Sequence, residues 1–358
     1  MVSFRLARGI AAIGIAVLAA GCGGLQGQIL AGLTVTTIAT GLDIAWAMAF
    51  VPDGRLFFTE RPGRLRVIVG GVLQPAPVIT LPVCCASGEG GLLGLAVDPG
   101  FATNGYLYVY YTHMQAGAPA NRIQRLIVSG NSAAADLVLL DGIPGSNNRH
   151  NGGRLKVGPD GLLYATNGDA DTTAFSQDVT SLAGKIIRMT RDGAIPAGNP
   201  FPGSYVYTFG HRNPQGLAWD ASSALYSTEH GPVSNDEVNR IQPGRNYGWP
   251  IIVGQGNTPP YVDPIFLFFP DTCAPSGATF VSSTMIPEWN GDLLFTCLRG
   301  VHLHRLRLAG PGSDVIVASE ALYTGAYGRL RDVVVGPDGA VYVSTSNGGG
   351  DVIVRIGR

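Results

Sequence analysis

The sequence predicts an all-β protein: a six-bladed β-propeller built from four-stranded antiparallel blades. The first reason is a tight turn followed by a short apolar strand, a unit that recurs six times along the chain. The second is composition. Charged residues make up 14% against 46% hydrophobic, and 51 glycines and 24 prolines punctuate the chain. Sparse charge with frequent turn residues suits many short buried strands and argues against disorder. The third is that no stretch beyond the N-terminal segment carries the apolar period of an amphipathic helix.

Residues 1–22 read as an export signal. Arg5 and Arg8 precede a small-residue apolar run, Gly9 to Ala20, that is too short to span a bilayer. It ends in Leu18-Ala19-Ala20-Gly21-Cys22, small residues before a cysteine as in a bacterial lipoprotein signal; an ordinary secretory cut is the alternative. The expectation is an exported protein, periplasmic or held at the membrane only through a lipid on Cys22. A short linker over 23–32 then leads into one propeller over 33–358. A formal net charge of −1 gives no reason to expect nucleic acid as a partner.

The first repeat is Val51-Pro52-Asp53-Gly54 with the strand Leu56 to Glu60. The second runs from Asp98-Pro99-Gly100 through Asn104-Gly105 into Tyr106 to Tyr111. The third is Gly158-Pro159-Asp160-Gly161 with Leu162 to Thr166, and the fourth is Asp220 with Leu225 to Glu229. Asn290-Gly291-Asp292 with Leu293 to Thr296 is the fifth, and Pro337-Asp338-Gly339 with Val341 to Ser344 is the sixth. Asp-Gly and Asn-Gly supply the positive φ of a hairpin turn, and the unbroken apolar run behind each is a strand buried on both faces. A spacing of about 45–70 residues is that of four-strand blades with variable loops. Ligands of propellers bind where loops of several blades converge over the channel, so a functional site is expected to be scattered, one loop per blade.

Five segments carry candidate chemistry. His150, in Arg149-His150-Asn151-Gly152-Gly153-Arg154-Leu155, is a lone histidine among loop residues, suited to a general base near neutral pH or to bracing its loop. Gly210-His211-Arg212-Asn213-Pro214-Gln215-Gly216 offers a cation beside an amide, a pair that fits a carbonyl oxygen or oxyanion. Glu229-His230-Gly231-Pro232, followed by Asp236 and Glu237, offers carbonyls and carboxylates of the kind calcium takes, without an EF-hand pattern. Arg329 and Arg331, by strand alternation, share a face and can grip a polycarboxylate. Ser87-Gly88-Glu89-Gly90-Gly91-Leu92 is glycine-rich but lacks a phosphate-loop pattern, which leaves Glu89 as its reactive group. Of the cysteines after Cys22, Cys273–Cys297 is the preferred bridge, leaving Cys84 and Cys85 as a vicinal bridge or as free thiols.

Taken together and in this order, His-x-Gly-Gly-Arg-Leu, Gly-His-Arg-Asn-Pro-Gln-Gly, Glu-His-Gly-Pro and Arg-x-Arg-Asp resemble the soluble quinoprotein sugar dehydrogenases over nearly the whole mature chain. That family includes bacterial aldose sugar dehydrogenases, soluble glucose dehydrogenase and the sorbosone dehydrogenases. The resemblance implies an exported dehydrogenase that oxidises the C1 hydroxyl of aldose sugars to lactones by hydride transfer to pyrroloquinoline quinone (PQQ), and passes electrons to an unidentified acceptor. It implies His150 as the base and Arg212 polarising a quinone carbonyl with Asn213 beside it. It further implies Arg329 and Arg331 on the quinone carboxylates, calcium on the carbonyls of Gly231 and Pro232, and a second, structural calcium at Glu237 and the Tyr247 backbone. Three positions depart from the family pattern: Arg149 replaces an aspartate before the histidine, Glu89 a glutamine and Arg299 a lysine, the last two being quinone contacts. Two other readings compete. A calcium-dependent lactonase would use Asn167, Asp169 and Glu229 but leaves the two arginines without a role; a non-catalytic binding propeller would account for Arg149 and Glu89.

Overall fold

The computed structural model describes residues 32–358; the segment read as an export signal, with Cys22, lies outside the described residues. Six antiparallel sheets form the blades. Five have four strands, and in the blade of Ala45–Phe50, Leu56–Glu60 and Arg64–Val69 the outer strand is split into Val72–Leu73 and Ile79–Thr80. We number this blade 1 and count along the chain. The six-bladed expectation holds, and each sequence repeat is the turn joining the first and second strands of one blade.

The second strand is buried along its whole length in blades 1, 3, 4, 5 and 6, which is why it reads as an unbroken apolar run. Gly54, Gly161, Gly291 and Gly339 hold their turns at φ of 86, 76, 79 and 78°. Blade 4 has no glycine there. Ser223 takes φ 66°, and the Asp220 carboxylate accepts the amides of Ser222 (2.9 Å) and Ala224 (3.0 Å), fixing the turn from its side chain.

The ring is closed by the chain's two ends. Thr34–Leu42 pairs antiparallel with Asp351–Gly357 and so becomes the outermost strand of blade 6, whose other strands are Leu330–Val335 and Val341–Thr345. Blades are also stitched sideways by hydroxyls near the ends of second strands: Thr59 donates to the Leu93 carbonyl (2.6 Å), Thr228 to Ser276 (2.7 Å) and Ser344 to Ala45 (2.7 Å).

The first strands line the channel, and five of them break register near their beginning, between Ala45 and Ala47, Leu92 and Leu95, Pro214 and Gly216, Pro275 and Ala278, and Leu330 and Asp332. A bulge leaves a residue unpaired and re-aims it. Side chains from these places meet across the axis. The Arg154 guanidinium lies 4.4 Å from the Trp46 ring and 3.0 Å from Asp332, and Arg331 donates to Gln215 at 2.8 Å. These side chains fill the axis at that level. Among the described residues, helix is limited to Phe101–Asn104 and two short 3-10 turns, and none is long and apolar enough to cross a membrane. Cys273 and Cys297 are bridged; Cys84 and Cys85 are free thiols.

Candidate active site

His150 is placed by its backbone. It adopts φ 62°, is 5% exposed, and donates its amide to Glu89 Oε2 at 2.9 Å. Two glycines make this approach feasible. A Cβ on Gly168 would fall 2.2 Å from the His150 carbonyl, and one on Gly152 would fall 2.7 Å from the Thr166 carbonyl. The ring Nδ1 lies 2.7 Å from Oδ1 of Asp169, a fully buried carboxylate whose Oδ2 accepts the Trp249 indole N–H at 2.9 Å. A carboxylate accepts, so Nδ1 carries the proton and Nε2 is left bare. The neighbouring Arg149 is exposed, with Nε 2.6 Å from Asp171.

Blade 4 faces this pair with Arg212 and Asn213. Asn213 ties three loops together: Oδ1 accepts the Gly152 amide (3.1 Å), Nδ2 donates to Glu89 (3.1 Å) and its carbonyl accepts the His230 amide (3.2 Å). Glu229 holds the loop from below, accepting the Arg212 amide on one oxygen and His211 Nδ1 (2.8 Å) on the other. The Arg212 guanidinium lies 5.3 Å from the Trp249 ring and donates to the carbonyls of His230 (3.2 Å) and Gly231 (2.8 Å). Burial works to raise the Glu89 carboxyl, but His230, the His150 amide and Arg331 together hold it below the usual carboxylate range.

Arg329 and Arg331 do not share a regular strand face. Arg329 precedes the strand and is exposed, whereas Arg331 sits in the bulge, 5% exposed, its guanidinium turned to Gln215 (2.8 Å) and Ser276 (3.4 Å). Burial, then the charges of Arg61 and Arg329, push Arg331 down to about 9. Arg299 is exposed on the loop after Cys297; its backbone amide donates to the Cys273 carbonyl at 2.9 Å.

Gly231, Pro232, Glu237 and Tyr247 line one small pocket with Arg212, Glu229 and Trp249. The Glu237 carboxyl is raised to about 8, by burial first and then by the charge of Glu229. The Tyr247 hydroxyl is committed to the Arg240 carbonyl (2.7 Å) and its amide to Phe209 (2.9 Å), leaving its own carbonyl for a ligand. A larger groove lined by Asp160, Tyr164, Arg188, Trp219 and Arg240 lies at the turn end of blades 3 and 4 and holds none of the candidate residues.

The family model of glucose and sorbosone dehydrogenases matches residues 42–354. The chain belongs to that family. It is 31% identical to an aldose sugar dehydrogenase of Escherichia coli over 90% of this chain and 92% of that one. The PQQ-bound aldose sugar dehydrogenase of Streptomyces coelicolor superposes with a TM-score of 0.81 at 37% identity, covering 91% of this chain and 98% of the other. Quinoprotein glucose dehydrogenase B of Acinetobacter calcoaceticus is 34% identical over 61% of this chain and 52% of its own length. An oxidoreductase family acting on sugars is thus the setting of the site.

Within this glucose/sorbosone dehydrogenase propeller, His150, Glu89, Arg212 and Asn213 form one bonded cluster, and Arg331 stands beside it. Gly231, Pro232, Glu237 and Tyr247 form the adjoining pocket. Sequence reasoning missed Trp249 and Arg61, and it weighed Asp169 only as a metal ligand. One signal was available for Asp169: it lies two residues past a buried second strand, the same place from which blade 4 sends Gly231 into the site.

Proposed function

We propose that the protein oxidises the C1 hydroxyl of aldoses to lactones with PQQ as electron acceptor and His150 as the base. The observation that carries this reading is the His150–Asp169 pair, which leaves Nε2 free to take the hydroxyl proton and stabilises the imidazolium that results. Asp169 is itself held by the Trp249 indole, so the ring cannot turn away without breaking its bond to a buried, fixed carboxylate.

The residues present fit the quinone. Arg331, Arg61 and Arg212 each carry a buried Nε with no protein partner among the described residues, and the charges of Arg61, Arg329 and Arg331 oppose one another. Such a cluster suits a polycarboxylate. Arg329 and Arg331 would hold the carboxylates, Arg212 and Asn213 would orient a ring carbonyl, Glu89 would stay ionised between His150 and Asn213, and Arg299 would reach in from blade 5. The residues also fit calcium. Two carboxyl groups whose charges oppose each other, Glu229 and Glu237, stand in one pocket with the free lone pair of the Gly231 carbonyl and the carbonyls of Pro232 and Tyr247, an oxygen donor set for a hard cation. When bound, the quinone supplies two-electron acceptance and the metal supplies electrophilic polarisation.

The test is reconstitution. Purified apoprotein is given calcium and PQQ, desalted, and assayed for retained quinone absorbance and for dye reduction with a panel of aldoses. Retained quinone without dye reduction by any aldose removes the sugar from the proposal; no retained quinone removes the proposal. Lactone hydrolysis without quinone would instead support the hydrolase reading. Export and anchoring at Cys22 are part of the proposal and are tested by labelled palmitate, whose incorporation should vanish in Cys22→Ala.

A further inference from the structure

Blades 2, 3, 4 and 6 each place a candidate residue in the site, blade 5 carries Arg299 on an exposed loop, and blade 1 places none by the sequence motifs. Arg61 fills that gap. It is the first residue past the second strand of blade 1, the position from which blade 4 presents His230 and blade 6 presents Ser346, whose hydroxyl lies 3.4 Å from Arg331. Its backbone is clamped between blades, the amide donating to Ile44 (3.2 Å) and the carbonyl accepting from Leu92 (2.9 Å). The glycine-rich run of blade 2 closes over it: a Cβ on Gly91 would fall 2.2 Å from the Arg61 carbonyl and 2.8 Å from its Cγ. Part of that run's glycine content thus serves to pack against Arg61.

The side chain is under-used by the protein. Its one described acceptor is the Ala86 carbonyl, at 2.9 Å, and its Nε is buried without a partner. The acidic groups near it are committed elsewhere. Glu89 takes the His150 amide and Asn213, Asp43 lies 3.7 Å from Arg64, and Asp351 accepts from Ile44, Thr345 and Asn347. Arg61 nevertheless stands close enough to Arg329 and Arg331 for their charges to oppose one another. Arg154 in the same channel makes the contrast. It is paired with Asp332, bonded to Gln215 and placed over Trp46, as a structural arginine is. Three guanidiniums of opposed charge, none with a carboxylate partner of its own among the described residues, suit an anion with several oxygens.

We propose that Arg61 is a third guanidinium of the cofactor pocket, taking a carboxylate of the quinone beside Arg329 and Arg331. The inference rests on the quinoprotein reading above. The experiment titrates calcium-loaded apoprotein with PQQ and with its trimethyl ester, following quenching of tryptophan fluorescence, for the wild type, Arg61→Gln and Arg61→Lys. Loss of a charge-assisted contact should weaken PQQ binding by about tenfold to a hundredfold in Arg61→Gln, with partial recovery in Arg61→Lys. The preference for acid over ester should shrink in Arg61→Gln, which a brace for the Ala86 loop would not cause. Equal acid-over-ester preference in wild type and Arg61→Gln, with both binding PQQ, overturns the inference and leaves the functional reading standing. A wild type that binds no PQQ overturns both. Unfolding curves of the three proteins show whether each variant is folded; if Arg61→Gln is not, the acid-over-ester preference of Arg61→Lys against wild type decides, an unchanged preference and affinity overturning the inference.

Discussion

His150 and Asp169 lie 19 residues apart in sequence and 2.7 Å apart in space because one hairpin joins them. Leu155 pairs with Ala165 and Val157 with Leu163, so the residues just outside the open end of that hairpin are brought face to face. The Pro-Asp-Gly turn at the far end therefore sets the register that assembles the pair.

If that pair is the proton acceptor, His150→Ala should lower kcat by about 100- to 10,000-fold, the usual range for a lost general base. Asp169→Asn keeps the shape but presents the wrong partner to Nδ1, and should lower kcat while leaving retained quinone absorbance unchanged. Steady-state kinetics on the reconstituted enzyme, with quinone content measured in parallel, separates the two effects. Unchanged kcat in Asp169→Asn would remove the orienting role.

The blades could be read from the sequence because each second strand is buried on both faces and bounded by turn residues with a mechanism. The ring closure could not. Thr34–Leu42 is an outer strand with most positions exposed or half-buried, and nothing local marks the C-terminal strand as its partner. His150, Arg212 and Glu89 stood out as polar groups in glycine-rich loops. Arg61 and Trp249 did not, since one follows an ordinary strand and the other reads as core. Strand alternation is not the right argument for pairing Arg329 with Arg331, because Arg329 precedes the strand and Arg331 sits where the strand is bulged.

Closure by the outer strand carries a stability prediction. A chain beginning after Leu42 loses the strand that pairs along Asp351–Gly357, exposing that edge and the faces of Val354 and Ile356 beneath it. Such a chain should unfold at lower denaturant, with aggregation through the open edge. Adding the missing strand as a peptide should restore part of the transition. A truncated chain as stable as the full one would show that the ring does not depend on closure.

The Glu229–Glu237 pocket predicts dependence on a divalent cation. Chelation should lower Tm and added calcium should restore it; a ligand at about a hundred times its Kd contributes roughly 2.7 kcal/mol. Glu237→Gln removes one of the two opposed carboxylates, so its apo form should lose little stability or gain some, while the calcium increment shrinks. Calorimetric scans with and without calcium read both. An undiminished increment in Glu237→Gln would place the ion elsewhere.

A second buried pair predicts a contribution to acid sensitivity. His302 Nδ1 lies 2.8 Å from the Gly300 carbonyl and so carries its proton; its Nε2 must accept from His304 Nδ1 (2.9 Å), and His304 Nε2 in turn accepts from the Ser319 hydroxyl (2.9 Å). Every ring nitrogen is used with both rings neutral, and His304 also packs against Phe295 with 4.9 Å between ring centroids. Protonating His304 would break its bond from Ser319 inside a buried cluster. Burial, and secondarily the charge of His302, push His304 down to about 3, and burial lowers His302 as well. An unfolded histidine titrates near ~6.5, so between that pH and about 3 the unfolded chain binds a proton at this position and the folded one does not. The contribution is complete above the unfolded value and is lost as pH falls through that window, with a slope of up to about 1.4 kcal/mol per pH unit for one proton. His304→Phe should therefore cost stability at neutral pH through the lost bonds but flatten the dependence of unfolding free energy on pH below about 6.5. Denaturant titrations at several pH values measure that slope, and an unchanged slope in the variant would assign the acid sensitivity to other groups.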